Sequence, residues 1–161
     1  MTSFLPLLLR EYHGLSIELA GTLFTGYFAA VTVSQPISGS LSDRLGRDIV
    51  TIGALLTGVV GFVLLAAYYA LVVIGVVLIG LGMDWGPPVQ SRVMGRLNAD
   101  ERGTGFGLVR TVYIGFAALN GIVITGLVTI SGWDAGIDAL VVSLAVPAVA
   151  LGLNGVTGWE L

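Results

Sequence analysis

Asp84 is the residue of this sequence best placed for chemistry. It follows a charge-free run, residues 49–83, and falls near the middle of an apolar stretch at about 71–92. Holding an ionised carboxylate at mid-bilayer costs about 2.5–3.5 kcal/mol on insertion scales. Such a group either faces a cavity and takes part in solute or proton binding, or is protonated or paired across helices without a transport role. Pro87 and Pro88 follow within a turn; proline removes backbone donors and kinks a helix, leaving carbonyls that can line a cavity or merely shape packing. Asn120, Tyr27 and Tyr113 are the other polar groups set within apolar stretches and complete the candidate solute or proton site. Interhelical hydrogen bonding, worth about 0.6 kcal/mol, would also account for Asn120. His13 reads as a solvated turn residue.

Other chemistries are excluded by what the sequence lacks. There is no cysteine and only one histidine, so neither a disulfide scaffold nor a Cys- or His-rich metal site is available. No G-x-x-x-x-G-K-[ST] loop is present to hold a nucleotide. Asp43 and Asp48 form the close acidic pair beside a span on the arginine-rich side, and Arg44 and Arg47 between them would repel a cation. No cofactor, no metal and no enzymatic activity are therefore expected. The net charge is −3 and the pI about 4.8, so nucleic acid is not an expected partner.

The elements that must position these residues are membrane helices. Of 161 residues, 55% are hydrophobic and 11% charged, with a mean hydropathy of +0.95. Soluble domains carry about 25% charged residues. Runs without any charge cover residues 19–42, 49–83, 111–133 and 139–159. A helix needs about 20 residues to cross the hydrocarbon core, so the second run divides near Tyr68-Tyr69, an interfacial aromatic pair. Five full spans follow, at about 17–41, 49–67, 71–92, 104–130 and 136–157, preceded by a partial helix at about 1–10. Ten helical residues rise only about 15 Å, so the sequence reads as opening inside a helix. Ser16 is expected to cap the second helix, and 98–101 to form a capping box. The turn 131–134 carries an interfacial Trp133.

Placing 43–48 and 94–102 in the cytoplasm puts Arg44, Arg47, Arg92, Arg96, Arg102 and Arg110 inside and only Arg10 outside. That is a strong positive-inside bias. Between the second and third helices lies Gly39-Ser40-Leu41-Ser42-Asp43-Arg44-Leu45-Gly46-Arg47. Gly39 would allow close helix approach, and Gly46 a sharp turn. Asp43 can accept from Arg44 or Arg47, and Asp48 can cap the next helix.

This loop resembles the G-x-L-x-D-R-x-G-R signature of the major facilitator superfamily of secondary transporters, departing only where a basic residue should follow and Asp48 stands. Residues 102–107 also resemble the family's inner loop leading into its next helix. The resemblance implies an all-α membrane protein, one six-helix half of a twelve-helix bundle. It also implies a gating role for Gly39, Asp43, Arg44, Gly46 and Arg47. The second half fits better than the first, because the fourth span carries Asp84 and no arginine before Arg92. In the family that half lines its cavity with its first, second, fourth and fifth helices, and Tyr27, Asp84, Tyr113 and Asn120 fall on three of these. The implied function is alternating-access transport of a small solute in the cell membrane. The partners are the lipid bilayer and a missing N-terminal half or second subunit. The alternative is a non-transporting membrane fragment or accessory subunit.

Overall fold

The computed structural model describes residues 4–86, 89, 95, 97, 98, 100 and 102–157, without the side chains of Asp84, Arg102 and 155–157. Among the described residues every regular element is helical: α1 (Leu5–Glu11), α2 (Ile17–Leu45), α3 (Arg47–Ala67), α4 (Val72–Gly82), α5 (Arg102–Ser131) and α6 (Trp133–Thr157). Short 3₁₀ turns cover Tyr69–Leu71 and Met83–Trp85. Four helices are long and apolar enough to cross a membrane, and Tyr69–Gly82 is a shorter apolar helix. The expected fourth span is thus α-helical to Gly82, tightens to a 3₁₀ turn through Met83–Trp85, and is α-helical again at Gly86 and Val89. Pro87, Pro88, Arg92, Arg96, Ala99, Glu101 and Trp159 lie outside the described residues, and with them most of the expected capping box and of 94–102.

Local chemistry sets the helix ends. The Ser16 hydroxyl accepts from the Leu19 amide at 3.3 Å, and Glu18 stands in the first turn, where an acid is favoured by the helix dipole. α3 stops at Ala67 because Tyr68 is extended, at φ −142° and ψ 113°. The segment 43–48, expected as a loop, is helical on both sides of a single residue. Asp43, Arg44 and Leu45 complete the last turn of α2, closed by the Gly46 amide donating to the Ser42 carbonyl at 3.1 Å. Charge signals solvent, but it does not stop backbone hydrogen bonding. Gly46 alone turns the chain, at φ 93° and ψ 147°, a region essentially confined to glycine. Asp48 sits in the first turn of α3, whose N-cap is Gly46.

The core lies where α3 packs on α4 and α6, and α1 contributes to it. Leu5, Leu8 and Leu9 are buried among Leu55, Phe62 and Leu65 of α3, Val76 and Ile79 of α4, and Ile124 and Leu140 from α5 and α6. α4 packs on both α2 and α3 through glycine. A Cβ at Gly61 would lie 2.7 Å from the Ile79 amide nitrogen, and one at Gly80 would lie 2.8 Å from the Tyr27 carbonyl oxygen. A Cβ at Gly82 would collide with the Gly58 backbone. Small residues permit this approach, which supplies dispersion where lipid offers no hydrophobic drive.

Candidate solute path

The turn Met83–Trp85 brings several of the candidate residues together. Met83 lines a small cavity of about 10 Å³ with Tyr27, Phe4 and Ile79, space for a single water at most. Trp85 meets Tyr113 of α5 edge to face, ring centroids 5.4 Å apart. The backbone of Asp84 therefore sits between a residue facing Tyr27 and a residue touching Tyr113. Tyr27 itself is only 4% exposed and stands in the apolar core, its ring 6.0 Å from Phe24. Asn120 is half-buried on α5, beside Gly121, whose position faces the Phe4 ring.

α5 shows how one helix presents three surfaces. Successive residues turn by about 100°. Arg110, Tyr113, Ala117, Asn120 and the buried Ile124 form one stripe, on the side of Trp85, α1 and α6. Thr104, Thr111, Gly115, Ala118, Thr125 and Thr129, all exposed, form a second. Leu108, Val112, Leu119, Val123 and Ile130 form a third, exposed and bulky. α2 repeats the second kind of surface. Opposite its buried Ala20, Tyr27, Ser34 and Ser38 run Thr22, Thr25, Ala29, Thr32, Pro36 and Ser40. The hydroxyls of Thr22, Thr25, Thr32, Thr111, Thr125 and Thr129 each donate to the carbonyl four residues back at 2.8–3.0 Å. Their donors are thus satisfied without water, while their oxygens stay open as acceptors.

The glycine-arginine motif lies at one end of α2 and α3. Asp43, Arg44 and Arg47 are exposed and Asp48 is half-buried. The expected bond from Arg44 or Arg47 to Asp43 is not formed among the described residues. Gly39 does not mark a close approach inside this chain, since a Cβ there would meet nothing within 4 Å; it lies toward the open side of α2, away from Tyr27. No group of three metal-ligating side chains occurs among the described residues.

Arg110 was counted in the sequence only as an inner charge. Its stripe-mates Tyr113 and Asn120 were readable from the spacing 110, 113, 117, 120, 124, which is one face of a helix. The ties at the other end of the bundle had no such signal. Tyr12 donates to Asp134 and Trp133 to Glu11 across 122 residues of sequence. His13, expected to be solvated, is half-buried, with a buried and unpartnered Nε2.

Compared with known proteins, residues 1–157 match the sequence model described as Major Facilitator Superfamily. No curated protein and no solved structure matches the chain.

Proposed function

The chain belongs to the major facilitator superfamily, a family of membrane transporters rather than enzymes, and from that premise we propose that it is one six-helix half of a secondary transporter. It moves a small solute by alternating access, rocking against a complementary half about a site near the membrane midplane. That half comes from the same polypeptide or from a second subunit. The observation that carries this reading is the pair of exposed small-residue and hydroxyl stripes on α2 and α5. Helices facing only lipid do best with large aliphatic side chains, as on the third surface of α5, whereas small residues mark surfaces that meet another helix.

Asp84, Asn120, Tyr27 and Tyr113 form the solute or proton site, with Asp84 as its ionisable member. Asp43, Arg44 and Arg47, with Gly39 and Gly46, gate the inner end. Residues 43–48 and 94–102 face the cytoplasm, and the chain sits in the cell membrane. Single cysteines at Ser42 and Ala135 are then labelled by an impermeant thiol reagent from opposite sides. The chemical test is Asp84→Asn in the complete transporter reconstituted in vesicles. Nearly isosteric and uncharged, it should leave insertion intact or improve it, because the desolvation cost is gone. It should abolish gradient-driven accumulation, because an amide cannot cycle a proton or balance a cation. Wild-type accumulation with an unaltered pH profile removes Asp84 from the site. Absence of transport by the wild-type assembly across a solute panel favours an accessory subunit instead.

A further inference from the structure

The end of the bundle where α1 stops is held by side chains that transport chemistry does not use. The Tyr12 hydroxyl donates to Asp134 Oδ1 at 3.0 Å, and the Trp133 indole N–H donates to Glu11 Oε2 at 3.1 Å. These two bonds tie α1 to the α5–α6 turn. His13 is the next residue, and it extends the tie to a third element. Its ring lies 5.0 Å from Tyr12, edge to face, and 5.9 Å from Tyr69 in the α3–α4 connection. The Leu65 backbone lies beside it. Its Nε2 is buried and has no hydrogen-bond partner among the described residues.

We propose that His13 is a proton-operated latch: neutral, it seats the end of α1 against both connections; protonated, it releases it. The reason is donor arithmetic. A neutral imidazole has one N–H and can leave Nε2 bare; an imidazolium carries one on each nitrogen, Nε2 included. The second would point from an enclosed nitrogen with no acceptor, in a pocket formed by two tyrosine rings. The carboxylates nearest in the cluster, Glu11 and Asp134, already accept from Trp133 and Tyr12. Protonation therefore either strands a buried donor or takes an acceptor from one of the two ties.

The other ionisable groups at this end are Arg10, the carboxyls of Glu11, Glu18, Asp134 and Asp138, and the phenols of Tyr12, Tyr68 and Tyr69. The bond to Asp134 pushes the Tyr12 phenol above the usual tyrosine value. His13 is the only histidine in the chain. Burial pushes its imidazole below the usual histidine value and outweighs the opposing effect of the Leu65 backbone. The released form thus binds the proton more readily than the seated form. The seated form is fully favoured above about pH 6.5 and loses ground as pH falls through that value toward the lowered pKa, below which the loss stops growing. For each unit of lowering, the seated-to-released ratio drops about tenfold across the window.

The chain has no cysteine, so spin labels can be placed at Arg10→Cys and Ser131→Cys without further changes. Distances between them are read in lipid nanodiscs from about pH 8 to about pH 5, the range in which histidine titrates. One narrow distance at the upper end should give way to a longer, broader population as pH falls. His13→Gln should hold the narrow distance at every pH, with His13→Asn as a second neutral variant. Tyr12→Phe combined with Trp133→Phe should raise the released fraction at the upper end. A distance independent of pH in the parent chain overturns the proposal. So does a transition that survives in both neutral variants, which assigns it to another group, or a double variant that leaves the distance unchanged.

Discussion

α4 and α5 are both apolar helices, yet they solve the problem of being in a bilayer in opposite ways. α4 spends its glycines inside the chain: Gly75, Gly80 and Gly82 each meet a neighbouring backbone or Cβ at less than van der Waals distance from an added methyl. α5 spends most of its glycines outside, with Gly105 facing the Leu97 side chain and Gly121 the Phe4 ring. Gly103, Gly107, Gly115 and Gly126 would accept a methyl with nothing within 4 Å. Of the apolar window of α3, the main partner of α4, 39% is buried, and of α5 only 6%. The same residue type therefore means a finished contact in one helix and an unfinished one in the other. A glycine in a membrane helix is a statement about proximity, and under the proposed function α5 makes it toward the complementary half.

That contrast can be broken by one pair of substitutions. Gly82→Ala places a methyl on the Gly58 backbone, which cannot step aside, and should cost about 1–3 kcal/mol, as overpacking does. Gly115→Ala should stay within about 0.5 kcal/mol, as for an uncontacted surface position. Thermal unfolding of the purified chain in detergent reads both, and equal losses would end the distinction. A second change sharpens it. Gly115→Leu should be silent in the same unfolding measurement. In the complete transporter it should weaken pairing of the halves about tenfold, equivalent to about 1.4 kcal/mol, as read by co-purification. Pairing at the parent level would return that stripe of α5 to the lipid. A more modest loss belongs to the tie from the end of α1 to α6. Tyr12→Phe deletes one exposed hydrogen bond, and should lower stability by about 1 kcal/mol. A larger loss would mean that the anchoring of α1, rather than the glycine crossings, holds the bundle together.

Much of this architecture was legible in the sequence, because a bilayer makes charge and length speak directly. The charge-free run 19–42 lies wholly within α2, and Tyr68 interrupts helix where an aromatic pair interrupts the longest apolar run. Misreadings arose where polarity and backbone part company. Asp43 and Arg44 looked like loop, yet a charged side chain at a helix end reaches water without disturbing its own peptide bonds. Gly39 looked like a contact and has none within the chain, since composition names a surface but not what lies across it. Within the candidate site, the stripe of Tyr113 and Asn120 follows from helical spacing. The seating of Tyr27 among aromatic rings, and the ties from α1 to the α5–α6 turn, depend on which helices meet. Residues 122 positions apart leave no periodic trace of that.

Between Ile17 and Ala67 only Gly46 is not helical. Treated as rods, α2 and α3 are joined by a coupling with two degrees of freedom, the torsions φ and ψ of one residue. Any rearrangement that swings one rod against the other must trace a path on that single map, starting from φ 93° and ψ 147°. Side chains with a Cβ are barred from that quadrant. The range of motion of this arm is thus specified by the absence of a carbon atom. α4, wedged between both rods, sets where on the map the arm comes to rest.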